Sequence, residues 1–144
     1  MRVNWLYPGA YAKISGDGIE GRVEFYQRPE SVMVVVRIDK LPESIENGFF
    51  GFHIHEGNAC TGVDFSDTKS HYDKGNNIHP MHSGDMPPLI ASGGRAYLAF
   101  LTSRFSVSDI LGKTVVIHNM ADDFTTQPSG NAGKKIACGV IKEN

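Results

Sequence analysis

Hydrophobic and polar residues alternate along much of this chain in short segments, with the two-residue period of β-strands. Gly, Pro, Asn and Asp separate the segments and favour turns, whereas helical periodicity is scarce. The pattern predicts at least seven strands and a last one near the C-terminal end, at residues 9–15, 21–27, 32–38, 50–55, 89–92, 95–102, 114–118 and 138–141. Such a succession is typical of an all-β sandwich or barrel.

Two local signals refine this pattern. Gly16-Asp17-Gly18 is a tight turn suited to a hairpin between the first two strands. Residues 106–111 are the one segment that we predict to be helical, with Ser106 as the N-terminal cap and Gly112 as the stop.

Two long segments, residues 57–84 and 119–135, show almost no alternation and are predicted to be loops. Connections of that length are usually either functional or disordered. The six histidines of the chain all lie between His53 and His118, so these loops contain histidines or begin beside one. The histidines are therefore the first candidates for chemistry.

Length and charge exclude several classes of protein. The 144 residues, 40% of them hydrophobic, suit one globular domain spanning residues 1–144. Fourteen basic and sixteen acidic residues give a net charge of −2, so neither nucleic acid nor an anionic membrane is an expected partner. The longest apolar run, residues 96–101, is far shorter than the roughly 20 residues of a membrane-spanning helix.

The cellular compartment follows only loosely from the sequence. Residues 1–7 contain no apolar stretch of signal-peptide length, so we expect a cytoplasmic protein; a chain whose leader had been removed would look the same and would be exported. Cys60 and Cys138 are too few for a disulfide scaffold but sufficient for one bridge. Free thiols are the usual expectation in a reducing cytosol.

Three histidines lie on predicted strands. In Phe52-His53-Ile54-His55 the strand period places His53 and His55 on one face and the two apolar residues on the other, toward the core. His118 ends the strand at 114–118. Histidines in such positions are often only polar surface residues, so this pattern alone does not decide between a surface and a metal site.

The first long loop supplies a second group of candidate ligands: His71, His79, His82 and Asp85. Three imidazoles and one carboxylate suit tetrahedral Zn²⁺, although scattered histidines in a polar loop need not bind anything. The strand histidines with one histidine from this loop would form an all-imidazole site, which suits Cu(II). His71, as an imidazolate, is the candidate for a ligand shared by both metals.

Four segments together resemble the copper/zinc superoxide dismutase family. They are GFHIHEGNAC at 51–60, HYDKGNNIHPMHSGDMPPL at 71–89, VVIHNMADD at 115–123 and GNAGKKIACGVI at 130–141. The short spacing from His55 to Cys60, the GDMPPL segment and Gln127-Pro128 resemble its bacterial branch. The resemblance covers nearly the whole chain and implies an eight-stranded Greek-key barrel or sandwich whose long loops hold two metals outside the barrel.

Residue by residue, the resemblance implies copper ligands His53, His55, His71 and His118, and zinc ligands His71, His79, His82 and Asp85. His71 is then the bridge. Asp122 matches the carboxylate that hydrogen-bonds one copper-site and one zinc-site histidine, which fixes their orientation. Asp123 is expected to be a solvated loop residue. Cys60 and Cys138 match the disulfide of the family, which favours the oxidised pair.

Two features depart from the family pattern. Only two residues separate His79 from His82, where the family has a longer excursion, so one of these two is the less secure zinc ligand. Lys135 stands where the family places an arginine that guides superoxide; lysine keeps the positive charge but loses the planar pair of donors. If Lys135 is only solvated, the remaining candidates for the guiding charge are Lys134, Arg95 and Arg104.

The activity implied is superoxide dismutation, in which copper alternates between Cu(II) and Cu(I) and zinc keeps its valence. His71 and Lys135 would be the catalytic side chains, the first for the proton and the second for attraction of the anion. One alternative is a copper- and zinc-binding relative that stores or sequesters metal. Another is a zinc-stapled structural domain, against which the four copper positions argue. The sequence is compatible with a monomer or a homodimer.

Overall fold

The computed structural model describes residues 6–144, and most of its regular structure is β-strand. The strands are β1 Ala10–Gly16, β2 Ile19–Gln27, β3 Val32–Lys40, β4 Gly48–Phe50, β5 Phe52–His55, β6 Leu89–Ser92, β7 Arg95–Thr102, β8 Thr114–His118, β9 Lys135–Val140 and β10 Lys142–Glu143. A short helix, α1, spans Val107–Ile110, and two 3-10 turns span Glu43–Ile45 and Val63–Thr68. In β3, Val32, Val34 and Val36 are buried between more exposed neighbours, as the alternating pattern predicts.

The strands form one antiparallel sheet that curls into a nearly closed barrel. Their order is β4-β6-β7-β3-β2-β1-β9-β8-β5, and β10 pairs with β1. The two end strands, β4 and β5, follow each other in the chain through Gly51. The pairings of β3 with β7 and of β1 with β9 join strands distant in sequence, which is the Greek-key pattern. The predicted fold class is therefore confirmed.

Gly51 divides one predicted strand, residues 50–55, into β4 and β5. Its backbone N–H donates to the carbonyl of Met120 (2.8 Å), and its own carbonyl accepts from the N–H of His118 (2.9 Å). A Cβ at this position would lie 2.7 Å from the Cβ of Ala132, closer than the packing allows. The chain can therefore turn from one end of the sheet to the other only where residue 51 has no side chain.

The C-terminal strand is longer than predicted. The segment predicted at 138–141 is part of β9, which begins at Lys135 because β8 pairs with it from His118 opposite Lys135 to Thr114 opposite Val140. The additional strand β10 consists of only two residues. The division at Gly51 and the additional strand β10 account for ten strands where eight were predicted.

The local signals are confirmed. Asp17 and Gly18 have positive φ angles of 45° and 78°, as the hairpin between β1 and β2 requires. The side chain of Ser106 accepts a hydrogen bond from the N–H of Asp109, whose carboxylate accepts one from the N–H of Ser106, so α1 begins with a capping box. Gly112, beyond the helix, has a φ of 81°.

The two predicted loops connect strands of the barrel, β5 to β6 and β8 to β9. The core lies inside it, where Phe25, Phe52, Ile54 and Ile117 are fully buried. Within residues 6–144, no helix is long and apolar enough to cross a membrane.

Candidate metal centre

The histidines of β5 lie on the face of the strand that points away from the core. Phe52 and Ile54 belong to the apolar core, as the strand period predicts, and His53 and His55 point to the other side of β5. That side is not exposed, because His53 is 0% and His55 2% accessible to solvent. The reading of this pair as a polar surface pattern is therefore wrong.

The first ligand group consists of His53, His55, His71 and His118, whose candidate ligand atoms all lie within 4.8 Å of one another. Nε2 of His55 lies 3.3 Å from Nε2 of His118. The opposite ring nitrogens are fixed by backbone: Nδ1 of His55 donates to the carbonyl of Lys69 (2.8 Å), and Nδ1 of His118 donates to the carbonyl of Gly133 (3.2 Å). Since a carbonyl only accepts, both Nε2 atoms keep their lone pairs.

The second ligand group surrounds Asp85. Its Oδ1 lies 2.7 Å from Nδ1 of His71, and its Oδ2 lies 3.2 Å from Nδ1 of His79 and 3.1 Å from Nδ1 of His82. The candidate ligand atoms of His53, His71, His79 and Asp85 all lie within 4.8 Å of one another. His82 does not belong to this group. His82 is also the more exposed of the two closely spaced histidines, with 14% of its side chain accessible, so it is the outermost candidate.

Four buried histidine nitrogens make no hydrogen bond in the described part of the chain: Nδ1 of His53, Nε2 of His71, Nδ1 of His79 and Nδ1 of His82. Burying a polar atom without a partner is unfavourable by roughly 1–3 kcal/mol. Two of these atoms lie close to Asp85 but out of hydrogen-bonding geometry. The donor set therefore fits metal ions, because imidazole nitrogens suit copper and three imidazoles with a carboxylate suit zinc.

Asp122 connects the two groups. Its Oδ2 accepts a hydrogen bond from Nε2 of His53 (2.6 Å), and its Oδ1 accepts from Nε2 of His79 (2.7 Å). Burial alone would raise the pKa of Asp122, but these hydrogen bonds outweigh it and lower the pKa. A charged Asp122 fixes the tautomer of both rings, so that each Nδ1 is free to bind a metal. Asp123 is exposed and accepts hydrogen bonds from Thr125 and Thr126.

Gly130 lies in the second loop, close to the carboxylate of Asp122. The loop can approach this carboxylate because residue 130 has no side chain. Its φ is 75°, and a Cβ there would lie 2.0 Å from Oδ1 of Asp122 and 2.6 Å from Nε2 of His79. Any other residue would collide with the contact that joins the two ligand groups. The sequence identifies this position only as a glycine within a motif.

Three of the imidazoles are held neutral by burial. Burial lowers the pKa of His71 to about 4, and burial together with the neighbouring His53 lowers the pKa of His118 to about 3. Burial also lowers the pKa of His55 well below its ordinary value. Neutral imidazoles are the form that binds metals, so His55, His71 and His118 are in the binding form at neutral pH.

A pocket of about 310 Å³ leads to the first ligand group, and His55, His71, His118, Lys69 and Lys135 are among the residues that line it. The ammonium of Lys135 donates to Oγ1 of Thr68 (2.8 Å) and to the carbonyl of Lys69 (3.0 Å). Burial lowers the pKa of Lys135 from its ordinary value. Lys69 was not among the residues predicted from the sequence, although it stands two positions before His71.

The other candidate guiding charges lie elsewhere. Lys134 forms an exposed ion pair with Asp64 (3.1 Å). Arg95 lines a groove beside Arg37 on the barrel wall, and Arg104 contacts the backbone of the first loop. Of these basic residues, Lys135 is the one that lines the pocket in front of the first ligand group.

Cys60 and Cys138 form a disulfide that joins the first loop to β9, with Cα atoms 5.7 Å apart. Ser15 and Cys138 are the one residue pair in the register of β1 with β9. The disulfide therefore lies where β1 and β9 meet, a junction with a single backbone residue pair. The expectation of an oxidised pair is confirmed.

The fold and the site define a class of protein, an antiparallel Greek-key barrel with a paired, imidazole-rich metal centre under two long loops. The family model described as copper/zinc superoxide dismutase matches residues 19–141. The chain belongs to this family, and membership implies copper and zinc as cofactors.

Individual relatives agree with this assignment. The chain is 37% identical over 130 residues to the copper/zinc superoxide dismutase of Legionella pneumophila, covering 85% of this chain and 77% of that protein. It is 33% identical over 109 residues to the superoxide dismutase-like protein YojM of Bacillus subtilis, covering 65% and 56%. The solved structure of the clock protein EA4 is similar over 100% of both chains, with a TM-score of 0.84 and 29% identity.

Proposed function

We propose that this protein is a superoxide dismutase that converts two superoxide anions and two protons to dioxygen and hydrogen peroxide. The observation that carries the proposal is the pair of buried ligand groups, which share the rings of His53 and His71. Copper would be held by His53, His55, His71 and His118, and zinc by His71, His79, His82 and Asp85. When bound, copper supplies one-electron redox chemistry, and zinc supplies a fixed positive charge of constant valence.

His71 is the residue that we assign to proton transfer. Its Nδ1 is directed to Asp85, whereas its Nε2 is buried without a hydrogen-bond partner in the described part of the chain. In the cycle, Nε2 would take up one of the two protons and donate it to the product, and the second proton would come from solvent. Because proton and electron arrive together, the net charge of the buried site stays nearly constant, which a site of low polarity favours.

The remaining histidines are held in place by their second nitrogens. Lys69 and Gly133 fix the rings of His55 and His118 through backbone carbonyls, and Asp122 fixes His53. None of these rings needs to rotate before it binds a metal. Such preorganisation keeps the reacting centre from rearranging between the two half-reactions.

Lys135 attracts the substrate in this proposal. The chain carries a net charge of −2, which repels an anion at long range, so a local cation at the pocket is needed to raise the association rate. Its ammonium lies 2.8 Å from Oγ1 of Thr68, which holds the charge at the pocket wall.

The deciding experiment is reconstitution of the purified protein with copper and zinc, elemental analysis, and a superoxide dismutation assay. We expect copper-dependent turnover that His118→Asn abolishes while the zinc content is retained. Arg95→Gln, a change in a groove that contains none of the ligand residues, serves as the control for substitution of a surface residue. A doubly loaded protein that is inert toward superoxide would contradict the proposal.

A second candidate function is metal holding with little turnover. The contact pattern of Lys135 favours it, because hydrogen bonds to Thr68 and Lys69 engage the ammonium that would have to meet the substrate. The name of the relative YojM, a superoxide dismutase-like protein, is compatible with it. The same assay separates the two functions, since a metal-holding protein would bind both metals and leave the rate of superoxide decay unchanged.

A further inference from the structure

The segment from His79 to Asp85 carries three of the proposed zinc ligands. Two side chains that are not ligands form hydrogen bonds to its backbone. One is Arg104, two residues beyond the end of β7, and the other is Gln127, in the loop between β8 and β9. Among the described residues, the hydrogen bonds of both side chains to this segment go to its backbone, apart from one long contact of Arg104 to the sulfur of Met81.

One nitrogen of Arg104 lies within hydrogen-bonding distance of three backbone carbonyl oxygens. Its Nη1 donates to the carbonyl of Pro80 (2.8 Å) and lies 3.3 Å and 3.4 Å from the carbonyls of His82 and Asp85. Carbonyl dipoles that converge on one point repel one another unless a donor or a cation lies between them. The guanidinium supplies both, so it stabilises the tight turn that two residues between His79 and His82 require.

The same contacts leave the carboxylate of Asp85 free for the site. An arginine near a carboxylate usually forms a paired salt bridge with it. Here the guanidinium is directed to backbone oxygens, while Oδ1 of Asp85 meets Nδ1 of His71 (2.7 Å) and Oδ2 accepts from the N–H of His82 (2.9 Å). The cation therefore holds the loop without neutralising the one anionic ligand.

The side-chain amide of Gln127 forms two hydrogen bonds to the backbone of His79, as a neighbouring β-strand would. Its Oε1 accepts from the N–H of His79 (3.0 Å), and its Nε2 donates to the carbonyl of His79 (2.7 Å). Asp122 holds Nε2 of the same ring. His79 is thus fixed at three points, and Nδ1 is the nitrogen left for a metal.

We propose that Arg104 and Gln127 are positioning residues that keep the zinc half of the centre assembled before zinc binds. The inference rests on the proposed zinc site. A short loop has few residues with which to order itself, and each residue ordered by the metal reduces the affinity by the entropy of ordering it. Contacts supplied by the barrel and by the second loop remove that penalty.

The test measures zinc affinity of the metal-free protein by competition with a chelator, with no superoxide assay. Arg104→Met and Gln127→Met keep an unbranched side chain and remove its hydrogen bonds; methionine matches glutamine in length and is two atoms shorter than arginine. We expect zinc binding to weaken by roughly 10- to 100-fold, the range for outer contacts of metal ligands. Copper affinity should stay at the parent value, and Arg104→Lys should recover part of the zinc affinity. Arg95→Met is the matched control.

Co²⁺ at the zinc site provides a spectroscopic check, because its visible absorption reports ligand geometry. We expect the Arg104→Met and Gln127→Met spectra to differ from that of the parent, and the Arg95→Met spectrum to match it. Parent-like zinc affinity and spectra in both methionine variants would overturn the inference alone. If Arg104→Met does not fold, Arg104→Lys and Gln127→Met decide it. A parent that binds no zinc would overturn the zinc site and this inference together.

Discussion

Oδ1 of Asp85 lies 2.7 Å from Nδ1 of His71, whereas Nε2 of the same ring is buried and makes no hydrogen bond in the described structure. The ring therefore presents two different surroundings, one beside a carboxylate and one beside other imidazoles. His71 is accordingly the residue on which both proposed sites depend.

The first prediction concerns stoichiometry. If His71 joins two four-ligand sites, the protein binds one copper and one zinc per chain, and His71→Ala weakens both. Elemental analysis after saturation and dialysis measures this directly. A saturated sample that retains a single metal equivalent, or a variant that loses only one metal, would contradict the shared site.

The second prediction concerns Asp122. Asp122→Ala removes the contacts to His53 (2.6 Å) and His79 (2.7 Å), so we expect metal retention to fall by roughly 10- to 100-fold while the barrel stays folded. Chelator competition measures the retention, and circular dichroism checks the fold. Asp123→Ala, at the exposed neighbouring position, is the control. Equal retention in the Asp122 variant and the parent would reduce Asp122 to an ordinary loop residue.

The fold was predictable because alternation is a local property. Every predicted strand is present, and the errors fall where tertiary contacts override the pattern. Gly51 interrupts a strand because its backbone pairs with His118 and Met120, and β9 begins at Lys135 because β8 reaches that far. Neither partner is visible from the local sequence.

The site was predictable as a set of residue types and only partly as an arrangement. Ligand spacing and the family motifs identify the histidines, Asp85 and Asp122, because metal chemistry restricts the choice of side chain. The roles of Arg104 and Gln127 depend on hydrogen bonds to backbone atoms that are distant in sequence. Because every residue has these backbone atoms, the sequence does not show which ones are contacted. Lys69 takes part through its carbonyl, which every residue possesses.

The third prediction concerns the acid stability of the metal-free protein. The folded state lowers the pKa of His71 to about 4 and of His118 to about 3, whereas the unfolded value is near 6.5. The unfolded state therefore takes up protons first as the pH falls below 6.5, and stability decreases from there down to the folded pKa values.

Between pH 7.5 and pH 5, this proton uptake lowers the free energy of unfolding by about 2 kcal/mol per histidine. Urea unfolding in the presence of a chelator at pH 7.5 and pH 5 measures it. His118→Asn should make the dependence shallower, because one titrating group is gone. A parent stability that is flat over this interval would show that burial does not hold these rings neutral.

The fourth prediction concerns the disulfide. Cys60 and Cys138 are separated by 78 positions, so removal of the cross-link restores the entropy of a long loop to the unfolded chain. The double variant Cys60→Ser, Cys138→Ser should be less stable by roughly 4 kcal/mol by the loop-closure model. Urea unfolding of metal-free parent and variant at neutral pH measures the difference, with the reduced parent as the control. Equal stability of parent and variant would mean that the seam between β1 and β9 holds without the bond.

The last prediction concerns Lys135. If its charge draws superoxide into the pocket, the rate of the fully loaded protein falls as ionic strength rises, because salt shortens the reach of the charge. Lys135→Glu should depress the rate and flatten or invert this salt dependence. Lys135→Arg should keep the rate or raise it, since a guanidinium offers the anion two donors.

The control for this series is Lys134→Glu, which makes the same change of charge at the neighbouring residue, whose ammonium pairs with Asp64 at the surface. We expect its effect on the rate to be smaller, because Lys134 does not line the pocket that leads to the proposed copper ligands, whereas Lys135 does. Stopped-flow measurement of superoxide decay at several salt concentrations, on samples of equal metal content, compares the variants. An unchanged rate and salt slope in Lys135→Glu would show that this ammonium serves Thr68 and Lys69 rather than the substrate, and the guiding charge would then have to lie at another residue.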